Sequence, residues 1–378
     1  MDILKTLDTL NAAFGPSGCE EEVAAAIAKL AKPYCDEITT DVMGNLICHK
    51  KGPGKKIMFA AHMDSLGLMV THIEKEGQLR VGKIGWIPEK EAVGTPVRFA
   101  SGLKGVIHCN EMEDEGKVKP EDLYVDIGAS SEAEAKKYVR PGDMCVYDTR
   151  SAMLCGNRIA SCYTDNRSGC VVLLMAMEML KKDVNDLYFV FTVQEEVGLR
   201  GGKTAAFGIA PDYGIAVDVT GADDVPKSAH GCSSSTGKGA AIKVKDSSVI
   251  CSPAVNKILV ELAEKKKIPY QMDVLTSGGT DAGSMIVTMD GVLTSGISIP
   301  CKFCHCPQEI VSADDMKPAR SCARRLRNTS SKGGKERWTI WTEFSSTDRS
   351  RRWTANIRRS PRSRSRTASS WPSEAMRK

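Results

Sequence analysis

The chain has 378 residues, of which 42% are hydrophobic, and a formal net charge of +5. This length is enough for two domains, and no apolar stretch approaches the roughly 20 residues of a membrane helix. The N-terminal residues include an early acid and lack a basic segment followed by an apolar run, and 14 cysteines are scattered along the chain. We therefore expect a soluble cytoplasmic protein with reduced thiols, neither secreted nor membrane-bound.

The first part of the chain, residues 1–64, alternates predicted helices and strands. Apolar residues at helical spacing predict a helix over residues 2–13, and an Ala-rich second helix ends near Pro33. A hairpin is predicted around Gly44-Asn45, and the buried strand KKIMFAAHMD follows it. This alternation is typical of an α/β/α sandwich.

The pattern changes over residues 65–162, where short β-like runs lie between Gly, Pro and Asp turns, interrupted by one short helix, SSEAEAKKYV. This stretch predicts a small β-rich domain inserted into the α/β domain. The α/β pattern resumes over residues 163–316 with a helix that begins DNRSGC and the apolar strands DLYFVFTV and YGIAVDVT. The expected fold is therefore α/β with a mixed sheet and an inserted β-rich domain.

Acidic and imidazole side chains follow the predicted strands of the α/β domain or precede its helices. They are His62, Asp64, Asp165, Glu195, Glu196, Asp218 and His305. Open α/β sheets form their binding crevice at the carboxyl ends of the strands, and this set has the composition of a metal site. Three carboxylates and one hydroxide would balance two divalent cations, which a shared carboxylate would hold about 3.5–4 Å apart.

Two pairs of residues suggest roles beyond metal binding. His62 and Asp64 are two positions apart on a strand and face the same side, so Asp64 can accept the proton of the imidazole nitrogen that binds no metal. Glu195 and Glu196 stand between an apolar strand and a glycine-rich turn. Adjacent strand residues point in opposite directions, so one glutamate can bind metal while the other serves as a general base. An isolated glutamate pair would otherwise be a solvated charge pair.

The segments AAHMDSLGLMV, YTDNRSGC, VQEEVGLRGG, AVDV and CHCPQE resemble, in order and approximate spacing, motifs of the tetrahedral aminopeptidases. This is the forty-second metallopeptidase family, related to glutamyl aminopeptidase, and some members were once labelled cellulase M or endoglucanase. The resemblance covers about residues 1–316. It implies a zinc-peptidase-like catalytic domain, an inserted domain that forms dimers, and dimers that assemble into a hollow dodecamer.

The resemblance also implies a dinuclear metal centre with assigned residues. One metal ion would be held by His62, Asp165 and Asp218, and the other by Asp165, Glu196 and His305, with Asp165 bridging. Glu195 would be the general base and Asp64 the partner of His62. Asp281, in the glycine-rich segment TSGGTDAGSM, would help bind the substrate's amino group, although a turn capped by Asp281 is an equal alternative. Zinc, cobalt and manganese all suit these ligands.

The function expected from these features is a metal-dependent aminopeptidase that acts on short peptides with a metal-activated water. Two alternatives stay open. A deacylase or amidohydrolase of the same fold would use the same metal centre on blocked substrates. A nucleic-acid-binding protein would use a basic C-terminal tail, but we disfavour nucleic acid as a partner.

The last 62 residues, 317–378, differ in composition from the rest of the chain. They hold 18 Lys plus Arg against 4 Asp plus Glu, whereas residues 1–316 hold 34 basic and 43 acidic residues. Four of the five tryptophans lie there, and only three of these residues are Leu, Ile or Val. We favour a frameshift near Lys317 over an authentic Arg-Ser tail, and in either case expect disorder after Met316.

Overall fold

The computed structural model describes residues 1–110, 118–180 and 185–326. Its helices include those that the sequence predicts and add three others, Glu89–Ala92, Arg200–Ile209 and Asp281–Met285. The helices are α1 (Ile3–Ala12), α2 (Glu21–Ala31), α3 (Glu89–Ala92), α4 (Glu132–Ala135), α5 (Thr164–Glu178), α6 (Arg200–Ile209), α7 (Pro253–Lys266), α8 (Asp281–Met285) and α9 (Ala313–Leu326).

The strands fall into a large mixed sheet and a small closed barrel. In chain order they are β1 (Glu37–Thr40), β2 (Leu46–Lys50), β3 (Lys56–His62), β4 (Gly67–Ile73), β5 (Leu79–Ile84), β6 (Pro96–Phe99), β7 (Lys104–Cys109), β8 (Leu123–Asp126), β9 (Met144–Tyr147), β10 (Ala152–Leu154), β11 (Arg158–Ser161), β12 (Asp186–Thr192), β13 (Tyr213–Gly221), β14 (Ala240–Lys245), β15 (Tyr270–Val274), β16 (Leu293–Lys302) and β17 (Glu309–Ser312).

The large sheet runs in the order β1-β2-β12-β3-β13-β16-β17-β11-β10, and β14 pairs with β16 and β15. Its central strands β12, β3, β13 and β16 are mutually parallel, whereas β1, β2, β17, β11 and β10 pair antiparallel. These central strands are long apolar runs because helices cover both faces, and α5 is buried from Thr164 to Met177. The mixed α/β fold expected from the sequence is confirmed.

The barrel closes in the order β4-β5-β8-β7-β6-β9 and has its own apolar core, which includes Leu68, Val97 and Ile107. It is the small β-rich domain that the short runs and turns predict. Its strands span residues 67–147, so the interval 65–162 also contains β10 and β11, which pair with each other and with β17 in the large sheet. Both strands are short, like most of the barrel strands, and only their pairing separates them from the barrel.

The last described helix, α9, continues ten residues past Met316, where the sequence suggested that the helical pattern ends. Met316 and Ala319 are both buried in the core of the large sheet, so the first turns of α9 are fixed by packing. The disorder expected after Met316 is therefore wrong for residues 317–326, which belong to α9. Residues 327–378 lie outside the described residues, and the frameshift near Lys317 stays a prediction. Across the part of the chain that is described, the helices are too short or too polar to span a membrane.

Helix α6 starts against the hairpin at Asn45. The Asn45 side chain accepts from the backbone N–H of Val193 at 3.0 Å and donates to the carbonyl of Gly201 at 3.1 Å. A Cβ on Gly201 would lie 2.6 Å from the backbone nitrogen of Val193 and even closer to its carbonyl oxygen. Glycine is therefore required where α6 leaves the segment that carries Glu195.

A Gly201→Ala variant is expected to lose about 1–3 kcal/mol of unfolding free energy, because backbone atoms cannot yield as a flexible side chain can. The midpoint of urea unfolding would measure the loss. Gly208→Ala is a matched control in the same helix, since its Cβ would meet no atom within 4 Å. It should gain about 0.5–1 kcal/mol, and equal midpoints for the two variants would contradict the crowding at Gly201.

Candidate metal centre

Two of the candidate residues, His62 and Asp218, lie near the carboxyl ends of the parallel strands. His62 is the last residue of β3 and is in register with Thr192, the last residue of β12. Asp218 lies on β13, on the other side of β3. Because parallel strands end at the same edge of a sheet, residues far apart in sequence meet in one crevice.

Asp165 and His305 enter the same crevice from irregular backbone. Asp165 stands at the start of α5 with φ −82° and ψ 105°, outside the helical region. His305 follows β16 in a turn and has a left-handed backbone, with φ +69°. The left-handed backbone of His305 is uncommon in residues other than glycine, and such residues cluster at functional sites.

Asp165 lies between the two imidazole rings. Its Oδ1 is 3.0 Å from Nε2 of His62, and its Oδ2 is 3.3 Å from Nε2 of His305. Asp218 Oδ1 is 3.6 Å from Nε2 of His62, and Glu196 Oε2 is 3.6 Å from Nε2 of His305. The structure thus forms two groups able to hold a metal ion, His62-Asp165-Asp218 and Asp165-Glu196-His305, which share Asp165.

The electrostatics of these groups fit divalent cations. Burial, together with the neighbouring Asp165, raises the pKa of Glu196 to about 8. Burial opposes the charge of His305, but Glu196 and Asp165 outweigh it and raise its pKa to about 10. Among the described residues, Glu196 Oε1 is buried with no hydrogen-bond partner. Metal ions would neutralise the repelling carboxylates and occupy this oxygen, and imidazole with carboxylate is a donor set that zinc, cobalt and manganese accept.

Glu195 is buried beside these groups but belongs to neither. Its Oε2 is 3.8 Å from Nε2 of His62. Burial, with repulsion from Asp218 and Glu196, raises the pKa of Glu195 well above its ordinary value. Both causes favour the neutral, protonated form of this carboxyl group.

The two glutamates do not lie on a strand, so the alternation of strand side chains is not what separates their roles. Strand β12 ends at Thr192, and Gln194 has a left-handed backbone, with φ +53°. The chain then turns, and Asp64 holds the turn: its Oδ1 accepts the backbone N–H of Glu195 at 3.1 Å and its Oδ2 that of Glu196 at 3.2 Å.

Asp64 is fully buried and connects this turn to His62. Its Oδ1 is 3.4 Å from Nδ1 of His62, and its Oδ2 accepts the hydroxyl hydrogen of Ser17 at 2.7 Å. Asp64 thus lies beside the outer nitrogen of His62, but Nδ1 makes no hydrogen bond among the described residues, so the expected pairing stays a prediction. The sequence offered no signal for Ser17, which lies in a turn after α1.

Two further contacts that the sequence did not predict involve Trp86 and Glu309. The backbone carbonyl of Trp86, which follows β5 of the barrel, accepts Nδ1–H of His305 at 2.7 Å and leaves Nε2 facing Asp165. The neighbouring Gly85 has φ +78°, and a Cβ there would lie 3.3 Å from that of Glu196. Glu309 ends the segment CHCPQE and bonds to the backbone of Asp165 and His305. Its place in a family motif was the one available signal.

Asp281 begins α8 and is 2% exposed. Its Oδ2 accepts the hydroxyl hydrogen of Thr192 at 2.5 Å, whereas its Oδ1 is buried with no hydrogen-bond partner among the described residues. Burial raises the pKa of Asp281 to about 7. In the part of the chain that is described, the candidate metal groups include His305 but no cysteine of the segment CKFCHC.

The shifted pKa values predict that the metal-free protein loses stability as the pH rises. Burial raises the pKa of Glu309 and of Asp281 to about 7, and that of Glu196 to about 8. In the unfolded chain these carboxyl groups release their protons near pH 4. Between pH 4 and pH 8 the folded state therefore holds more protons than the unfolded state, and raising the pH favours unfolding. The raised pKa of His305 acts in the same direction above about pH 6.5.

We expect the Tm of chelated protein to fall by roughly 5 °C or more from about pH 5 to about pH 8, since 1 kcal/mol moves Tm by about 2–4 °C. Added divalent metal should remove most of this fall, because ligands bind metal in their deprotonated form. Differential scanning fluorimetry across this range would measure both curves. A flat profile for the chelated protein would contradict the predicted protonation of the buried acids.

The fold and the crevice define a mixed α/β protein with a buried centre of carboxylates and imidazoles that could hold metal ions, and the comparisons identify its family. A family model described as M42 glutamyl aminopeptidase matches residues 44–321. An aminopeptidase of Acetivibrio thermocellus is 47% identical over 319 residues, which cover 84% of this chain and 96% of that protein.

Solved structures give the same result. An aminopeptidase from the archaeon Desulfurococcus kamchatkensis aligns with a TM-score of 0.83 and 41% identity, covering 87% of this chain and 95% of that one. The TET1 peptidase of Pyrococcus horikoshii aligns with a TM-score of 0.77 and 32% identity, covering 86% and 99%. The chain belongs to the M42 glutamyl aminopeptidase family and is a hydrolase of the peptidase class.

Proposed function

We propose that this protein is a metal-dependent aminopeptidase that removes N-terminal residues from short peptides with the help of two divalent metal ions. The observation that carries the proposal is the position of Asp165, which directs one carboxylate oxygen to each imidazole ring. A single carboxylate in that position can serve two ions at once. His62 and Asp218 would complete one set of ligands, and Glu196 and His305 the other.

When bound, the two ions would polarise the peptide carbonyl and lower the pKa of the attacking water. Glu195 would take the proton of that water and return it to the leaving amine. Its burial beside His62, outside both ligand groups, supports this role. Asp64 would keep Glu195 in place through the backbone N–H that it accepts, and would orient His62.

Asp281 is proposed to help hold the positive amino terminus of the substrate. Its buried Oδ1 has no hydrogen-bond partner among the described residues. The Asp281 carboxylate also lies close enough to Glu195 to help raise the pKa of Glu195. An ammonium group brought into the crevice would be attracted to such a carboxylate. Thr192 would fix the other oxygen of Asp281.

We also propose that the chain acts in the cytoplasm. It would form dimers through the barrel, and these dimers would assemble into a dodecamer. The Pyrococcus horikoshii relative supports assembly, since that peptidase can form a tetrahedron or a large octahedral shell. All thirteen cysteines with described side chains are free thiols, as a reducing compartment would keep them. Light scattering of the eluting protein would measure the mass of the assembly.

The decisive experiment measures amino acid release from short unblocked peptides, with N-acetylated peptides as controls, before chelation, after it and after return of zinc, cobalt or manganese. We expect release from the unblocked peptides alone, lost with the chelator and restored by metal. Release from acetylated substrates would show a deacylase instead. No release of either kind from folded, metal-loaded protein would refute the proposed activity.

A further inference from the structure

We propose that Glu309 is a positioning residue that fixes the shared ligand Asp165 and the ligand His305 relative to each other. In this way it sets the affinity of the Asp165-Glu196-His305 group for its metal ion. The inference rests on the proposed function, because it assumes that this group binds a metal ion. Glu309 is not itself a member of either ligand group.

The contacts of Glu309 use both of its carboxylate oxygens. Oε2 accepts the backbone N–H of Asp165 at 2.9 Å and the hydroxyl hydrogen of Thr164 at 2.8 Å. Oε1 accepts the backbone N–H of His305 at 2.6 Å. One buried side chain thus ties together two ligands that are 140 positions apart in the sequence.

Glu309 is itself firmly anchored. It is 2% exposed, and it begins β17, which pairs with both β11 and β16. Its Cα partner across the sheet is Ser161, shortly before Asp165 in the chain. The carboxylate is therefore fixed by the large sheet and not by the turn that it holds.

The two ligands need this anchor because regular structure does not place them. Asp165 has non-helical torsions at the start of α5, and His305 has φ +69° in a turn. Their N–H groups take part in neither a helix nor a strand ladder there, and a buried N–H without a partner is costly. Metal affinity depends on such outer contacts, whose loss typically weakens binding by about 10–100-fold.

A glutamine at this position cannot reproduce the arrangement. The carboxylate is an acceptor at both ends, whereas an amide has one oxygen and one NH₂ group. Whichever way the amide is oriented, NH₂ would face a backbone N–H of Asp165 or His305. Glu309→Gln therefore removes an acceptor at one ligand with almost no change in side-chain volume.

The test titrates the metal-free full chain with Co²⁺ by calorimetry and follows the visible absorption of the bound ion. We expect the wild type to bind two ions, and Glu309→Gln to bind the ion of the Asp165-Glu196-His305 group about 10–100-fold more weakly. The other ion should lose less affinity, because Asp165 is the one ligand that it shares with this group. Glu309→Asp keeps both oxygens on a shorter stem and should weaken the binding of that group's ion by less. A His305→Ala variant should abolish binding of that ion and thus identifies which one is affected.

Two controls separate positioning from general stability. Asp315→Asn changes another buried carboxylate, which accepts the backbone N–H groups of Gly237 and Gly239 and contacts no candidate ligand. Gln308→Ala changes the exposed neighbour of Glu309. Both controls should bind two Co²⁺ ions with wild-type affinity, whatever their Tm.

Unchanged binding of both ions by Glu309→Gln would overturn the inference and leave the proposed function standing. If Glu309→Gln weakened the binding of both ions equally, or if Asp315→Asn lost as much affinity, Glu309 would contribute only to overall stability. Either result would also overturn the inference. If Glu309→Gln and Glu309→Asp both fail to fold, the inference is equally rejected. A wild type that binds fewer than two ions would instead refute the proposed dinuclear centre, a result that the variants do not affect.

Discussion

A Glu195→Gln variant is expected to keep both metal ions and to lose about 10²–10⁴-fold in kcat, which is the range that general acid–base catalysis contributes. Glutamine fills the same volume in the crevice but cannot take a proton from water or return it to an amine. Glu195 belongs to neither ligand group, so the loss should come without a change in metal content. Initial rates on unblocked peptides and metal analysis of the same sample would measure the two quantities.

Glu196→Gln is the matched comparison, because it changes the adjacent residue by the same atoms. Glu196 Oε2 faces Nε2 of His305, so this variant should bind one of its two metal ions more weakly. Glu21→Gln, at an exposed carboxylate, should alter neither activity nor metal content. Equal metal loss in Glu195→Gln and Glu196→Gln would show that both residues are ligands and that the proton is carried by another group.

The second large effect is expected from Asp165→Asn, which should lower the affinity of the protein for both metal ions. The Asp165 carboxylate directs one oxygen to each imidazole, and an amide offers only one oxygen in its place. We expect an affinity loss of more than about 100-fold at both groups, beyond the usual effect of an outer contact. Calorimetric titration of the metal-free variant with Co²⁺ would measure it, and activity should be undetectable at low metal concentration.

Asp218→Asn provides the contrast for Asp165→Asn, because Asp218 belongs to the His62 group alone. This variant should bind one ion more weakly and the other with nearly wild-type affinity. Asp223→Asn, at a carboxylate that pairs with the exposed His230 and lies in neither group, should change nothing. If Asp165→Asn weakened only one ion, the carboxylate would not be shared and the two groups would have to be assigned separately.

The convergence of His62, Asp165 and Asp218 could be predicted because each stands where an apolar run ends or a helix begins. Parallel strands bring such positions to one edge of a sheet, so chain order and hydrophobic pattern are sufficient to gather the residues. The inserted barrel could be predicted for a similar reason, since short alternating runs between turns differ in texture from long buried strands.

What the sequence did not reveal are contacts between side chains and backbone. The hydrogen bond from Asp165 N–H to Glu309 joins residues 144 positions apart and depends on no periodic pattern. The glycines after Glu196 predicted a turn, and Gly198 lies in one with φ +127°, whereas Gly201 and Gly202 belong to the first turn of α6, where Gly201 passes close to Val193. There, tertiary packing overrides the low helix propensity of glycine.

The carbonyl of Trp86, which follows β5, connects the barrel directly to His305 of the candidate metal centre. Any amino acid at position 86 presents a carbonyl, so mutagenesis of side chains leaves this hydrogen bond in place and tests only the Trp86 ring, whose centroid lies 5.6 Å from that of the His305 ring. Chimeras that exchange the barrel between relatives meet a stricter condition, since the exchanged loop must return a main-chain oxygen to within hydrogen-bonding distance of Nδ1 of His305. The barrel is therefore a separate segment of the sequence, but it cannot be exchanged without regard to the hydrogen bond that it accepts from His305.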